Sequence, residues 1–172
     1  PGTLGTWGNS IFVWKNKRFL IQGNDSRDPY WSSCVIGSRS EEGVCSNNLF
    51  EHGRNSTTAA WIEQTDCRYV SFTSNLLFGR LLVGDSGGYY VSVTGNTIVT
   101  PSDGIDVSNT GDNCIISSNT IVKTGEVEGI GIMLWNKVKQ GVGHVISNNT
   151  IRGFSRGIFI NNSGGTGTSY GI

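Results

Sequence analysis

Ile116-Ser-Ser-Asn119-Thr-Ile121 is one of six copies of a single phrase, and the recurrence decides the fold. The other copies are Ile21-Gln-Gly-Asn24-Asp-Ser26, Cys45-Ser-Asn-Asn48-Leu-Phe50, Phe72-Thr-Ser-Asn75-Leu-Leu77, Val93-Thr-Gly-Asn96-Thr-Ile98 and Ile146-Ser-Asn-Asn149-Thr-Ile151. Each sets an apolar residue three positions before an Asn and usually another two positions after it. The Asn-to-Asn steps are 24, 27, 21, 23 and 30 residues (48−24, 75−48, 96−75, 119−96, 149−119). Self-similarity at a period of twenty-odd residues is the mark of a solenoid.

Within each repeat the apolar residues alternate, which is strand periodicity. Val70 and Phe72, Val91 and Val93, Cys114 and Ile116 are expected to face inward, with Ser71, Ser92 and Ile115 outward. A second short strand precedes each phrase: Cys34 to Ile36, Leu82 to Gly84, Ile105 to Val107, Ile132 to Leu134 and Ile158 to Ile160. Three of these open on a glycine, at Gly104, Gly131 and Gly157. Tight Asn-Gly hairpin turns do not occur, which argues against a meander, and a propeller blade needs about 40 residues. No stretch holds helical periodicity for three turns, so almost no helix is expected. The pattern predicts an all-β chain, a parallel β-helix of about six rungs stabilised rung to rung. Asn24, Asn48, Asn75, Asn96, Asn119 and Asn149 then fall at a corner, where Asn tolerates the left-handed conformation. Stacked at about 4.8 Å, their amides can bond one another as a continuous internal ladder.

Composition bounds the partners. Lys plus Arg equals Asp plus Glu at 13 each, so no net field draws the chain to nucleic acid or an anionic membrane. No apolar run approaches membrane-spanning length, and no signal peptide is visible. Residues 1–172 read as a single domain. Cys34, Cys45, Cys67 and Cys114 show no zinc-site spacing. They are expected as thiols packed like small hydrophobes, with disulfides the alternative, and neither a metal nor another cofactor is expected. The chain opens on Pro1 without Met, and Gly171-Ile172 looks like the start of another rung. A segment of a longer fibre-like protein is therefore expected, or ends capped by neighbouring chains.

The repeated S-x-N-T-I and G-I-x-[VIL] phrases resemble the right-handed parallel β-helix superfamily from about Ile11 to Ile160. It contains pectate lyases, polygalacturonases, polysaccharide epimerases and bacteriophage tailspike depolymerases, the last closest in character. The resemblance implies a polysaccharide partner and an extracellular or virion-borne location, phage tail first and secreted bacterial second. For the tailspikes it also implies homotrimers. Fold resemblance alone does not carry an activity.

Chemistry must come from residues. Val83-Gly84-Asp85-Ser86-Gly87-Gly88 copies a trypsin-like phrase, but Trp61 stands where the catalytic His would belong, and Ser needs a base in reach. Ser102-Asp103-Gly104-Ile105-Asp106-Val107 is the stronger candidate, because alternation turns Asp106 outward with Asp103 on the turn before it. Asp85 one rung below and Glu126 and Glu128 one turn above extend the cluster. Rungs about 4.8 Å apart bring such carboxyls into the roughly 5–9 Å range of glycoside hydrolysis. One would protonate the leaving oxygen while another activates water. A lyase would want a basic group there, for which Arg80 and Lys123 are candidates. Tyr90 and Trp135 are expected outward, able to stack on sugar rings. His144 has inward parity, as expected of a structural residue, and the Asp-Asp pair of polygalacturonases is missing. The reading is a polysaccharide-binding and polysaccharide-degrading solenoid, an endoglycosidase or lyase. Its rival is a non-catalytic structural or adhesive segment whose acids only solvate turns.

Overall fold

A computed structural model of the chain describes residues 8–62, 66–84, 88–108, 113–135 and 143–161. Within them the chain winds through three parallel sheets, and no helix occurs. The first sheet stacks Ile11–Val13, Cys34–Ile36, Thr58–Ile62, Arg80–Val83, Ile105–Ser108, Ile130–Trp135 and Arg156–Asn161. The second stacks Leu20–Gln22, Val44–Ser46, Ser71–Thr73, Ser92–Thr94, Ile115–Ser117 and Val145–Ser147. The third stacks Asp25–Ser26, Leu49–Glu51, Leu76–Phe78, Thr97–Thr100, Thr120–Lys123 and Thr150–Arg152. Six complete rungs and the first strand of a seventh result. Cys67–Arg68 and Gly88–Tyr89 add a two-stranded sheet between the first and second.

Register keeps like residues in columns. Ile21, Cys45, Phe72, Val93, Ile116 and Ile146 form one inward column of the second sheet. Phe50, Leu77, Ile98 and Ile121 are buried facing it from the third. Cys114 and His144 are buried as their parity requires, and Ile115 is exposed. Arg80–Val83 departs from expectation by one residue. Leu81 pairs with Ile105, and Leu82 with Asp106, so Leu81 and Val83 point inward rather than Leu82. Gly131 and Gly157 lie inside strands rather than in turns, whereas Gly104 ends the turn immediately before one. A side chain would not fit: a Cβ on Gly104 would lie 2.4 Å from the Gly131 carbonyl oxygen and 2.5 Å from Ile121 Cγ2.

The Asn column forms a continuous ladder. Asn48 donates to Asn75 Oδ1 from both its backbone N–H (3.0 Å) and its Nδ2 (2.8 Å). Its second Nδ2 hydrogen goes to the Ile21 carbonyl at 3.1 Å. Its Oδ1 in turn accepts both bonds from Asn24, each 2.9 Å long. The same pattern runs from Asn75 to Asn96, Asn96 to Asn119 and Asn119 to Asn149. Every hydrogen-bonding site of an interior amide is therefore filled. The left-handed residue is not the ladder Asn but the one before it: Gly23, Asn47, Ser74, Gly95, Ser118 and Asn148, with φ between 55° and 68°. That residue makes the corner, and the Asn that follows turns its amide into the stack.

Removing one interior rung of this ladder orphans several groups at once. Asn96→Ala strands the N–H and Nδ2 of Asn75 and takes a donor from the Phe72 carbonyl. At roughly 1–3 kcal/mol for a buried unsatisfied group, a loss of about 3 kcal/mol is expected on chemical denaturation. Asn24→Ala, at the exposed lower end, is expected to lose about 1 kcal/mol. Equal losses at the two positions would contradict a cooperative ladder.

Candidate functional site

The corners differ in how much chain they carry. Between the third and first sheets the connections are residues 27–33, 52–57, 79, 101–104, 124–129 and 153–155. In the third rung one residue, Gly79, joins Phe78 to Arg80. Its φ of 134° is open only to glycine without strain, and a Cβ there would lie 2.7 Å from His52 Cβ and 2.9 Å from the Thr57 carbonyl oxygen. Below this short step, 52–57 stacks on the turn beneath, with Arg54 N donating to the Pro29 carbonyl at 3.1 Å. A cleft of about 400 Å³ opens there, lined by Asp28, Glu51, His52, Gly53, Arg54 and Phe78.

Its groups are held in place. The Arg54 guanidinium grips the Asp28 carboxylate with two bonds, Nε to Oδ1 at 2.7 Å and Nη2 to Oδ2. That hydrogen bonding holds the Asp28 carboxyl below the usual carboxylate range. Glu51 Oε2 accepts the Asp28 backbone N–H at 3.1 Å. His52 Nδ1 lies 3.0 Å from the Gly53 carbonyl oxygen, so in the neutral ring Nδ1 carries the proton and Nε2 is an acceptor. Phe78 stands next to Glu51 on the outer face of the third sheet and is exposed.

Across Gly79 the outer face of the first sheet carries a polar cluster. Arg80 Nη1 lies 3.4 Å from Asp106 Oδ2, and Arg80 Nη2 donates to Thr58 Oγ1 at 3.1 Å. Ser108 donates its hydroxyl to Asp106 Oδ1. Asp106 points outward as expected, yet it is buried between Leu82 and Met133 in its row. Trp135 sits one rung above Ser108 on the same face. A desolvated ion pair contributes little net stability, so its presence among apolar neighbours marks this face.

The other expected site residues disperse. Asp103 Oδ1 accepts the Ile130 backbone N–H at 2.9 Å and ties two rungs together. Lys123 Nζ donates to the carbonyls of Gly125 (2.6 Å) and Pro101 (3.2 Å) rather than to an acid. Glu126 and Glu128 are exposed on the turn at 124–129. Tyr90 stacks on Tyr69, centroids 5.1 Å apart, and precedes the second sheet, so the first sheet's width separates it from Arg80. Asp85 lies outside the described residues. The geometry thus joins Arg80 and Asp106, leaves Trp135 beside Ser108 farther along the same face, and adds the cleft residues Asp28, Glu51, His52 and Phe78. Their one sequence signal was spacing: Asn75 to the inward Leu81 is only 6 residues (81−75), against 12 from Asn48 to Ala60 (60−48).

The chain's soft donors are 2 His, 4 Cys and 1 Met, and all lie in described residues. Cys34, Cys45, Cys67, Cys114, His144 and Met133 are buried. His144 Nδ1 accepts the Cys114 N–H at 3.3 Å, Cys67 donates to the Gly37 carbonyl at 3.2 Å, and Cys45 accepts from Asn48 Nδ2 at 3.4 Å. Among the described residues no three His, Cys, Asp or Glu side chains converge as a metal site requires.

Residues 3–170 match the family model described as periplasmic copper-binding protein (NosD). No curated protein matches the chain.

The interior thiols set an alkaline limit. A hydrogen bond with Cys45, then burial, raises the Cys34 thiol well above its ordinary range. Its folded value lies above the unfolded one, so its contribution is intact below about pH 8.5 and is lost as pH rises toward the folded value. Unfolding free energy is expected to decline above that point, and less steeply in Cys34→Ala. Identical slopes would contradict the assignment.

Proposed function

We propose that this chain, which belongs to the NosD family of periplasmic parallel β-helix proteins, binds a polysaccharide at its third–first corner, outside the cytoplasm. The observation that carries this reading is the collapse of that corner to Gly79. It leaves the cleft beside Phe78 within two residues of the buried Arg80–Asp106 pair. Ligand sites combine a concave surface, an aromatic wall and a few fixed polar groups, and these elements meet at this corner. Phe78 offers an apolar face to a sugar ring. Arg80, Asp106 and Ser108 supply fixed donors and an acceptor a short distance along the same path.

Copper, named in the family's description, is not what these residues suit. It favours convergent imidazole, thiolate or thioether donors, whereas here Cys34 meets Cys45, and among the described residues no third His, Cys, Asp or Glu joins them. A secreted or periplasmic setting, rather than a phage tail, fits the family. Binding is better supported than cleavage, because the oxygens of Asp106 already meet Arg80 and Ser108, and an oxygen of Asp103 meets the Ile130 N–H. Should the chain cleave its glycan, Glu51 is the acid in the cleft not held by an arginine, Asp106 lies beyond Gly79 on the first sheet, and Asp103 positions the next rung.

The test is titration calorimetry of the whole chain against capsular, O-antigen and pectic polysaccharides, with reducing ends and ultraviolet-absorbing unsaturated ends followed in parallel. Binding of at least one glycan is expected, weakened about tenfold, or about 1.4 kcal/mol, in Arg80→Ala. Reducing ends alone would mark hydrolysis, and both signals elimination. No binding across the panel would overturn the reading in favour of a structural or adhesive solenoid.

A further inference from the structure

The cleft's chemistry selects among sugars. Both arginines near it are already committed to carboxylates: Arg54 to Asp28 and Arg80 to Asp106. An acidic sugar would have to compete with Asp28 or Asp106 for a guanidinium already neutralised by it, and drawing Arg80 away from the buried Asp106 is costly. It would also meet the Glu51 carboxylate, whose placement against the Asp28 backbone N–H is fixed at 3.1 Å. Like charges brought together in an interface disfavour binding. What the cleft offers is the opposite kind of recognition. Glu51 accepts hydrogen bonds, as does His52 Nε2 in the tautomer whose Nδ1–H meets the Gly53 carbonyl, and Phe78 presents an exposed ring. These complement a ring with hydroxyl donors around its rim and a C–H face on one side.

We infer that the cleft beside Gly79 takes an uncharged sugar unit, stacked on Phe78 and read through its hydroxyls by Glu51 and His52, and that it rejects uronic acids. This rests on the glycan reading above and narrows it to one class of sugar. Phe78 sets the face and Glu51 the charge rule. The Asp28–Arg54 pair holds the cleft's lower rim by tying residues 26 positions apart.

The experiment compares neutral glucan, galactan and mannan fragments with polygalacturonate and alginate fragments, by calorimetry on the whole chain at near-physiological salt. Neutral fragments are expected to bind and uronate fragments to show no heat of binding. Phe78→Ala is expected to weaken neutral binding about tenfold, while Phe78→Tyr retains it. Glu51→Gln is expected to admit uronate fragments. Far-ultraviolet circular dichroism checks that each variant keeps its β signature, and Phe78 and Glu51 lie on the outer face, away from the core. Uronate binding that depends on Arg80 would overturn this inference and leave the glycan reading standing. Neutral binding indifferent to Phe78→Ala would overturn it as well, placing the sugar elsewhere. Silence toward both classes would overturn both.

Discussion

The amide stack from Asn24 to Asn149 is the constraint on which the rest of this structure depends. Each rung must turn from the second sheet to the third within one left-handed residue, a conformation that costs a non-glycine residue roughly 1–2 kcal/mol. At four of six rungs that residue is Ser or Asn rather than Gly. The turn also buries a backbone N–H and a side-chain amide, which would each be destabilising if left without partners. The Asn above removes the difficulty, since its single Oδ1 takes both. Bonds polarised in one direction strengthen one another in a low-dielectric interior, so the ladder acts as a spine rather than as separate contacts.

A spine at one corner fixes the others. With the second–third corner held to one conformation, variation in chain length is forced into the two remaining corners. The third–first corner takes it most visibly, from six residues at 52–57 to one at Gly79 (57−52+1). That contrast makes the cleft. It also brings charge to this edge: Asp28, Glu51, Arg54, Arg80, Asp103 and Asp106 gather there, whereas the residues flanking the ladder Asn are uncharged except Asp25. A uniform corner builds the scaffold and an irregular one builds the site, a division that keeps stability and binding apart.

The architecture was legible because it is periodic. The six Asn phrases fixed the rung count, the inward parity of His144 and the outward parity of Ile115, and the structure bears these out. The misses came where periodicity breaks. The strand expected from Leu82 to Gly84 starts earlier, because the two-stranded insert around Gly88–Tyr89 lengthens the path to Val93 and Leu81 takes the inward place. Alternation gave Asp106 an outward direction but could not show its burial, which depends on neighbours 24 and 27 residues away (106−82, 133−106). The cleft was invisible for the same reason. Asp28, Glu51 and Phe78 come from three successive rungs and share no motif, and only the short Asn75-to-Leu81 spacing pointed to their corner.

Side-chain hydrogen exchange observed by NMR distinguishes one closed ladder of buried amides from a set of separate contacts. The Nδ2 hydrogens of Asn48, Asn75, Asn96 and Asn119 are predicted to persist in deuterium oxide on the timescale of global unfolding. Those of exposed Asn55 are predicted to vanish at once. Ladder amides that exchange as fast as Asn55 would contradict the closed ladder.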